Sequence, residues 1–203
     1  MKQNIIYVIL SAMLLLGASS AVYAQSERKG AAASNLILTA VERYNGQDID
    51  GAMKILKEVI AEDPSNDAAW YYIAQCSIAS DDLEMAEQAL VMASEADPDN
   101  FWYRYKLARL YSVTSRPELT VDMYEKLLED FPKRSDLYFD LVETYAAQRE
   151  YEKALETLKE IETVFGMTES IAVYRFNLLR MLGRQEDAYK SLEEYNGEYS
   201  SPY

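Results

Sequence analysis

Proton transfer near neutral pH most often uses histidine, and this 203-residue chain contains none. The commonest metal ligand is missing with it. One thiol is present, Cys76, set among Ile73, Ala74 and Ile78 on an apolar stretch, which reads as a small core residue rather than a nucleophile. A single cysteine cannot form an internal disulfide, so packing must hold the fold together. The 34 Asp and Glu residues offer pairs suited to acid–base or calcium chemistry, namely Glu84 with Glu87, Glu125 with Glu129, Glu150 with Glu152 and Glu156 with Glu160. They recur at helical spacing opposite the apolar positions, with Lys153 close to Glu156, as a solvated helix face does. No calcium-loop spacing, phosphate-binding glycine loop or nucleophile elbow occurs. The sequence therefore predicts no catalytic residue, no metal site and no cofactor.

Charge narrows the partners. Lys and Arg total 20 against 34 acidic residues, and Lys2 is the one charged side chain among residues 1–24. The remainder is strongly acidic and would gain nothing from nucleic acid phosphates, so nucleic-acid binding is excluded as an expectation. At the start, Lys2 precedes an apolar run from Ile5 to Leu16, and Val22-Tyr23-Ala24 supplies small residues where a signal peptidase cuts. Residues 1–24 are thus expected to be a signal peptide cleaved after Ala24. A helix of that run would rise only about 18 Å, short of the roughly 30 Å of a bilayer core. Gln25 follows the cut in place of a lipid-accepting cysteine, so the product is expected to be periplasmic or secreted, neither a lipoprotein nor a membrane-spanning chain. Residues 25–32, small and polar, are predicted to be a disordered lead-in.

A period of 34 residues organises the rest. Pro64, Pro98 and Pro132 mark it, with Gly166 at the next place. The same interval links Ala52, Ala86, Thr120, Ala154 and Ala188; then Leu56, Leu90, Tyr124, Leu158 and Leu192; then Val59, Ala93, Leu127, Ile161 and Tyr195. Members of the three columns are four and then three residues apart and share one helical face. Each proline forces its predecessor out of helical conformation and closes a unit. An earlier helix in each unit has a bulky residue and an apolar one three positions on: Leu36 with Thr39, Trp70 with Ile73, Tyr138 with Leu141. Arg104 takes the bulky column in the third unit, and in the fifth Ala172 and Arg175 stand in the columns that want a bulky and an apolar residue. Turns are placed at residues 44–46, 80–82, 115–118, 148–150 and 182–184. In the third, Ser115 is predicted to cap a helix with Pro117 in its first turn and Glu118 completing a capping box. Asn196-Gly197 is expected to stop the last helix.

These columns resemble the tetratricopeptide repeat family, whose motif is a 34-residue helix–turn–helix with an early bulky aromatic, alanines at close contacts and a terminal proline. The resemblance implies an all-α, right-handed α-solenoid of about five units over residues 33–195, with repeats near 33–66, 67–100, 101–134, 135–168 and 169–195, and a tail at 196–203. It further implies a partner-binding groove on the first helices. The columns that line it read Ile37, Tyr71, Tyr105, Phe139 and Val173, then Val41, Gln75, Arg109, Glu143 and Asn177, with Trp102 and Arg180 as extensions. Paired Lys and Asn, used by relatives that clamp a peptide's terminal carboxylate, are not in these columns. The expected function is a non-enzymatic envelope scaffold that binds another polypeptide, with carbohydrate stacking on the rings as the alternative. Leu36, Ile37, Leu38 and Val41 on the first helix predict self-association or docking at that end.

Overall fold

The computed structural model describes residues 29–199, with side chains to 197. The expected export signal at 1–24, the first half of the lead-in and residues 200–203 lie outside the described residues. Those described form helices and no strand. They are α1 (29–45), α2 (Ile49–Glu62), α3 (Asp67–Ala79), α4 (Leu83–Ala96), α5 (Phe101–Val113), α6 (Pro117–Asp130), α7 (Ser135–Ala147), α8 (Tyr151–Phe165), α9 (Glu169–Met181) and α10 (Gln185–Tyr199). The chain divides into two compact units between Ala96 and Asp97, where one repeat ends and the next begins.

The periodic columns become the core. Ala52, Ala86, Thr120, Ala154 and Ala188 are all fully buried. Thr120, the polar member, donates its hydroxyl to the Arg116 carbonyl at 3.0 Å, so burial leaves no orphaned group. Leu56, Leu90, Tyr124 and Leu158 are sealed one turn on, and Val59, Ala93, Leu127 and Ile161 after them. Each large member contributes roughly 1.5–3 kcal/mol by leaving water. Leu192 and Tyr195, their counterparts on α10, are half-buried.

Every intra-repeat turn has the same backbone. Gln47, Asp81, Ser115, Arg149 and Gly183, again 34 apart, take left-handed φ values from +56° to +74°. The next residue's N–H donates to the carbonyl five positions back, Asp48 to Arg43, Asp82 to Ser77, Arg116 to Tyr111, Glu150 to Tyr145 and Arg184 to Leu179, at 2.9–3.0 Å. This is the six-to-one bond of a Schellman motif, which satisfies a carbonyl the helix end would orphan. It corrects the expected cap of α6. Ser115 is the left-handed residue of the turn, Arg116 stands at the N-cap without a side-chain bond, and only Pro117 holds its expected place in the first turn.

Between repeats, side chains of Asn66, Asn100 and Thr168 cap α3, α5 and α9. The bulky column ties these turns down: Trp70 Nε1 donates to the Pro64 carbonyl at 2.8 Å and the Tyr138 hydroxyl to that of Pro132 at 3.4 Å. Arg104 does the same work differently, bonding Asp130 and the Lys126 carbonyl at the end of α6. Arg175 bonds Glu162, so α9 forms despite its departures, with Ala172 buried. Two sequence boundaries shift. Residues 29–32, assigned to the lead-in, are already helical, and α10 continues through Asn196 and Gly197 to Tyr199. One glycine in a helix costs only about 1 kcal/mol against alanine, too little by itself to end it.

Candidate functional site

The expected groove residues fall in both units. In the first, Ile37 is half-buried on α1, and Tyr71 and Gln75 lie one turn apart on α3. Tyr71 meets Tyr72 edge-on at 5.3 Å. Burial, then the Tyr72 and Tyr44 phenols, push its own phenol up. Gln75 Nε2 is closed off from solvent with no acceptor.

The second unit brings more of them together. On α5, Tyr105 stacks on Phe101 with centroids 5.3 Å apart, and Trp102 meets both rings edge-on at 5.1 and 6.1 Å. Phe101 is core, Tyr105 half-buried and Trp102 55% exposed, so the rings grade outward from the interior. The Arg134 guanidinium sits 4.0 Å from the Phe101 centroid and 5.5 Å from that of Trp102. On α7, Phe139 packs against Tyr174 of α9 at 5.4 Å. The aromatic column is thus both edge of core and floor of surface.

Its polar neighbours surround a carboxylate that the groove columns do not include. Asp140 Oδ1 lies 3.7 Å from Arg109, beyond hydrogen-bond reach. The Tyr105 hydroxyl is a donor to this carboxylate, and Asp140 Oδ2, closed off from solvent, has no partner of good geometry. Burial pushes the Asp140 carboxyl up; Tyr105 and Arg109 oppose this, while Glu143 and Asp136 reinforce it. Burial and the Asp140 charge push the Tyr124 phenol well up. One turn along α7, Glu143 accepts the Tyr174 hydroxyl. Between α5, α6 and α7 opens a cavity of about 470 Å³ whose lining includes Arg109, Tyr124, Asp140, Glu143, Thr144 and Gln148.

Of the expected residues, Arg109 and Glu143 line this cavity, Tyr105 adjoins it at Asp140, and Phe139 packs on Tyr174, which bonds Glu143. Asn177 and Arg180 are exposed on α9, where Arg180 lies 5.6 Å from the Phe176 ring centroid. Asp140 and Tyr174 were missed, although both occupy the repeat column two places after the bulky one, with Leu38, Tyr72 and Lys106. That register was the available signal.

Nothing in this arrangement pairs a nucleophile with a base. Cys76 is buried and its thiol is pushed up by that burial, away from the reactive thiolate. Among the described residues no group of three or more His, Cys, Asp or Glu could hold a metal ion, and no helix is long and apolar enough to cross a membrane.

The model of a tetratricopeptide repeat family matches residues 46–112 and 115–163. Among solved structures, the chain is similar to a MamA protein at TM-score 0.67 and 16% identity, over 84% of this chain and 97% of that one. MamA from Desulfovibrio magneticus RS-1 gives 0.65 and 13% over 83% and 97%. YrrB, described as a TPR protein with an unusual peptide-binding site, gives 0.63 and 14% over 82% and 86%. At these identities the likeness speaks for the fold, an all-helical repeat solenoid. No protein of curated function matches the chain in sequence.

Proposed function

Since this chain belongs to the tetratricopeptide repeat family, we propose that it is a non-catalytic scaffold of the cell envelope that holds a segment of another polypeptide on its first helices. The observation that carries this reading is the juxtaposition in the second unit of half-buried rings, Tyr105, Phe139 and Tyr174, with the open polar cavity at Arg109, Asp140 and Glu143. Rings supply contact area at low entropic cost, and the polar groups fix register, the division of labour found in protein interfaces. The peptide-binding site named for YrrB supports it by analogy. Export rests on Lys2, the Ile5–Leu16 run and Val22-Tyr23-Ala24. Mass analysis of the protein from an envelope fraction should find Gln25 at its start.

Carbohydrate stacking needs free ring faces. Trp102 is the most exposed ring of the groove set, but Arg134 already lies near it. The two readings separate when the protein and its Phe139→Ala variant are applied to envelope extracts and to a glycan array. Retention of one protein by the parent, lost in the variant, with silence on the array, is expected; glycan binding, or equal capture by the variant, refutes the scaffold reading. At α1, Leu36 and Leu38 are 40% and 61% exposed, a surface suited to self-association. Light scattering of the parent against Ile37→Glu tests it: a monomer in both cases rules it out.

A further inference from the structure

The cavity between α5, α6 and α7 combines an excess of negative charge with a half-buried carboxylate, Asp140, one oxygen of which is closed off from solvent without a donor. Asp140 and Glu143 stand three residues apart on one face of α7, against Arg109 alone among the basic residues of the lining. Arg109 is itself half-exposed and only loosely paired at 3.7 Å, a contact of the kind that contributes little and yields readily. An incoming anion would meet two carboxylates to reach it. An incoming cation meets Asp140 and Glu143, the oxygens of Tyr124 and Thr144, and the amide of Gln148. The adjoining ring of Tyr105 offers apolar surface beside these acids. Long basic side chains have this two-part character, an aliphatic stem with a charged head, and rings attract the head as well. At about 470 Å³ the cavity has room for one.

Resting on the scaffold reading above, we propose that this cavity is a specificity pocket for a lysine or arginine side chain of the bound polypeptide. The stem lies along Tyr105, and the head is held by Asp140 and Glu143. Binding supplies Asp140 Oδ2 with the donor it lacks. It also offsets the cost of keeping that carboxylate out of water, which Tyr105 and Arg109 meet only in part in the free protein.

The test is a positional-scanning library of short peptides with both termini blocked, applied to the purified protein, to Asp140→Asn and to Glu143→Gln, with circular dichroism as the folding control. Glu143 is exposed, so its variant keeps the test valid if the other fails to fold. The expected result is one peptide position at which Lys or Arg improves affinity over Ala by on the order of tenfold, a preference both variants lose and rising salt weakens. Peptides bound with no charge preference, or with an acidic one, overturn this proposal and leave the scaffold reading standing. Binding of no peptide at all overturns both. A basic preference that survives in both variants shows that the head is held elsewhere and overturns the assignment to this pocket.

Discussion

The Tyr174 hydroxyl donates to Glu143 Oε1 at 2.5 Å, tying α9 to α7 across one repeat. That bond, then burial, push the Tyr174 phenol up to about 12, and burial followed by the bond to Glu125 pushes Tyr145 there too. Both values exceed the roughly 10 of an unfolded tyrosine, so the native state favours the protonated phenols. Their contribution is fully present below pH 10 or so and is lost as pH rises through about 12. Near-ultraviolet titration should therefore show late-ionising phenols coupled to alkaline unfolding, and Tyr174→Phe should remove one of them. Because the bond is exposed, the variant should lose at most about 1 kcal/mol. Phenols that all ionise near pH 10 before any unfolding would refute the two bonds.

Ala154 and Leu158 are both fully buried, which makes them sensitive in opposite ways. Ala154→Leu overfills the contact and should cost about 1–3 kcal/mol, and Leu158→Ala leaves a void worth about 2–5 kcal/mol. For a chain of this size each kcal/mol corresponds to roughly 2–4 °C in Tm. The control is Ala147→Leu, at an exposed position, which should leave the melt within about 0.5 kcal/mol. Equal melts for Ala154→Leu and Ala147→Leu would mean that the 34-residue columns do not mark the core.

Those columns were legible because burial acts on side-chain type at fixed intervals, and Ala52 through Ala188 show both together. The turns were legible in place but not in form. Of the five left-handed residues only Gly183 and, less strongly, Asp81 have types that conformation favours, and Ser115 was read as a cap because a serine before a proline suits either role. The end of α10 was misplaced for a related reason, since Asn196-Gly197 punctuates by type, yet the helix runs through both to Tyr199. At the site, register found Arg109 and Glu143. It passed over Asp140 because a carboxylate one position along a helix reads as solvated face until the neighbouring helix shows it enclosed.

Asp140 should be a residue whose charge lowers stability. Its carboxyl is pushed up, burial being the largest cause, so the native state binds its proton more tightly than the unfolded chain does. The native state is favoured below the unfolded value and loses that advantage as pH rises through the folded one. At neutral pH the full cost is present. Asp140→Asn should consequently melt at the same temperature as the parent or higher at pH 7, and the difference should shrink on acidification toward pH 4. A variant that melts well below the parent at pH 7 would show that the Arg109 and Tyr105 contacts outweigh the burial.

Gly166 stands where the three preceding repeats have Pro64, Pro98 and Pro132, so replacing it with proline would regularise the sequence. The backbone forbids it. Gly166 has φ +81° and ψ 170°, a conformation open essentially to glycine alone, whereas proline is held near φ −65°. No atom beyond its chain neighbours lies within 4 Å of where a Cβ would stand, so the cost of Gly166→Ala is backbone strain without a clash, about 1–3 kcal/mol. Gly166→Pro should cost at least as much, because it must also rebuild the end of α8, where the Gly166 N–H donates to the Glu162 carbonyl at 2.9 Å. Arg149→Gly supplies the contrasting case: its φ of +63° already strains a side-chain-bearing residue, and relief of about 1 kcal/mol nearly offsets the entropy glycine adds to the unfolded chain. Thermal melts should rank Arg149→Gly near the parent, Gly166→Ala below it and Gly166→Pro lowest; a proline variant as stable as the parent would mean that this turn takes the form of the other three.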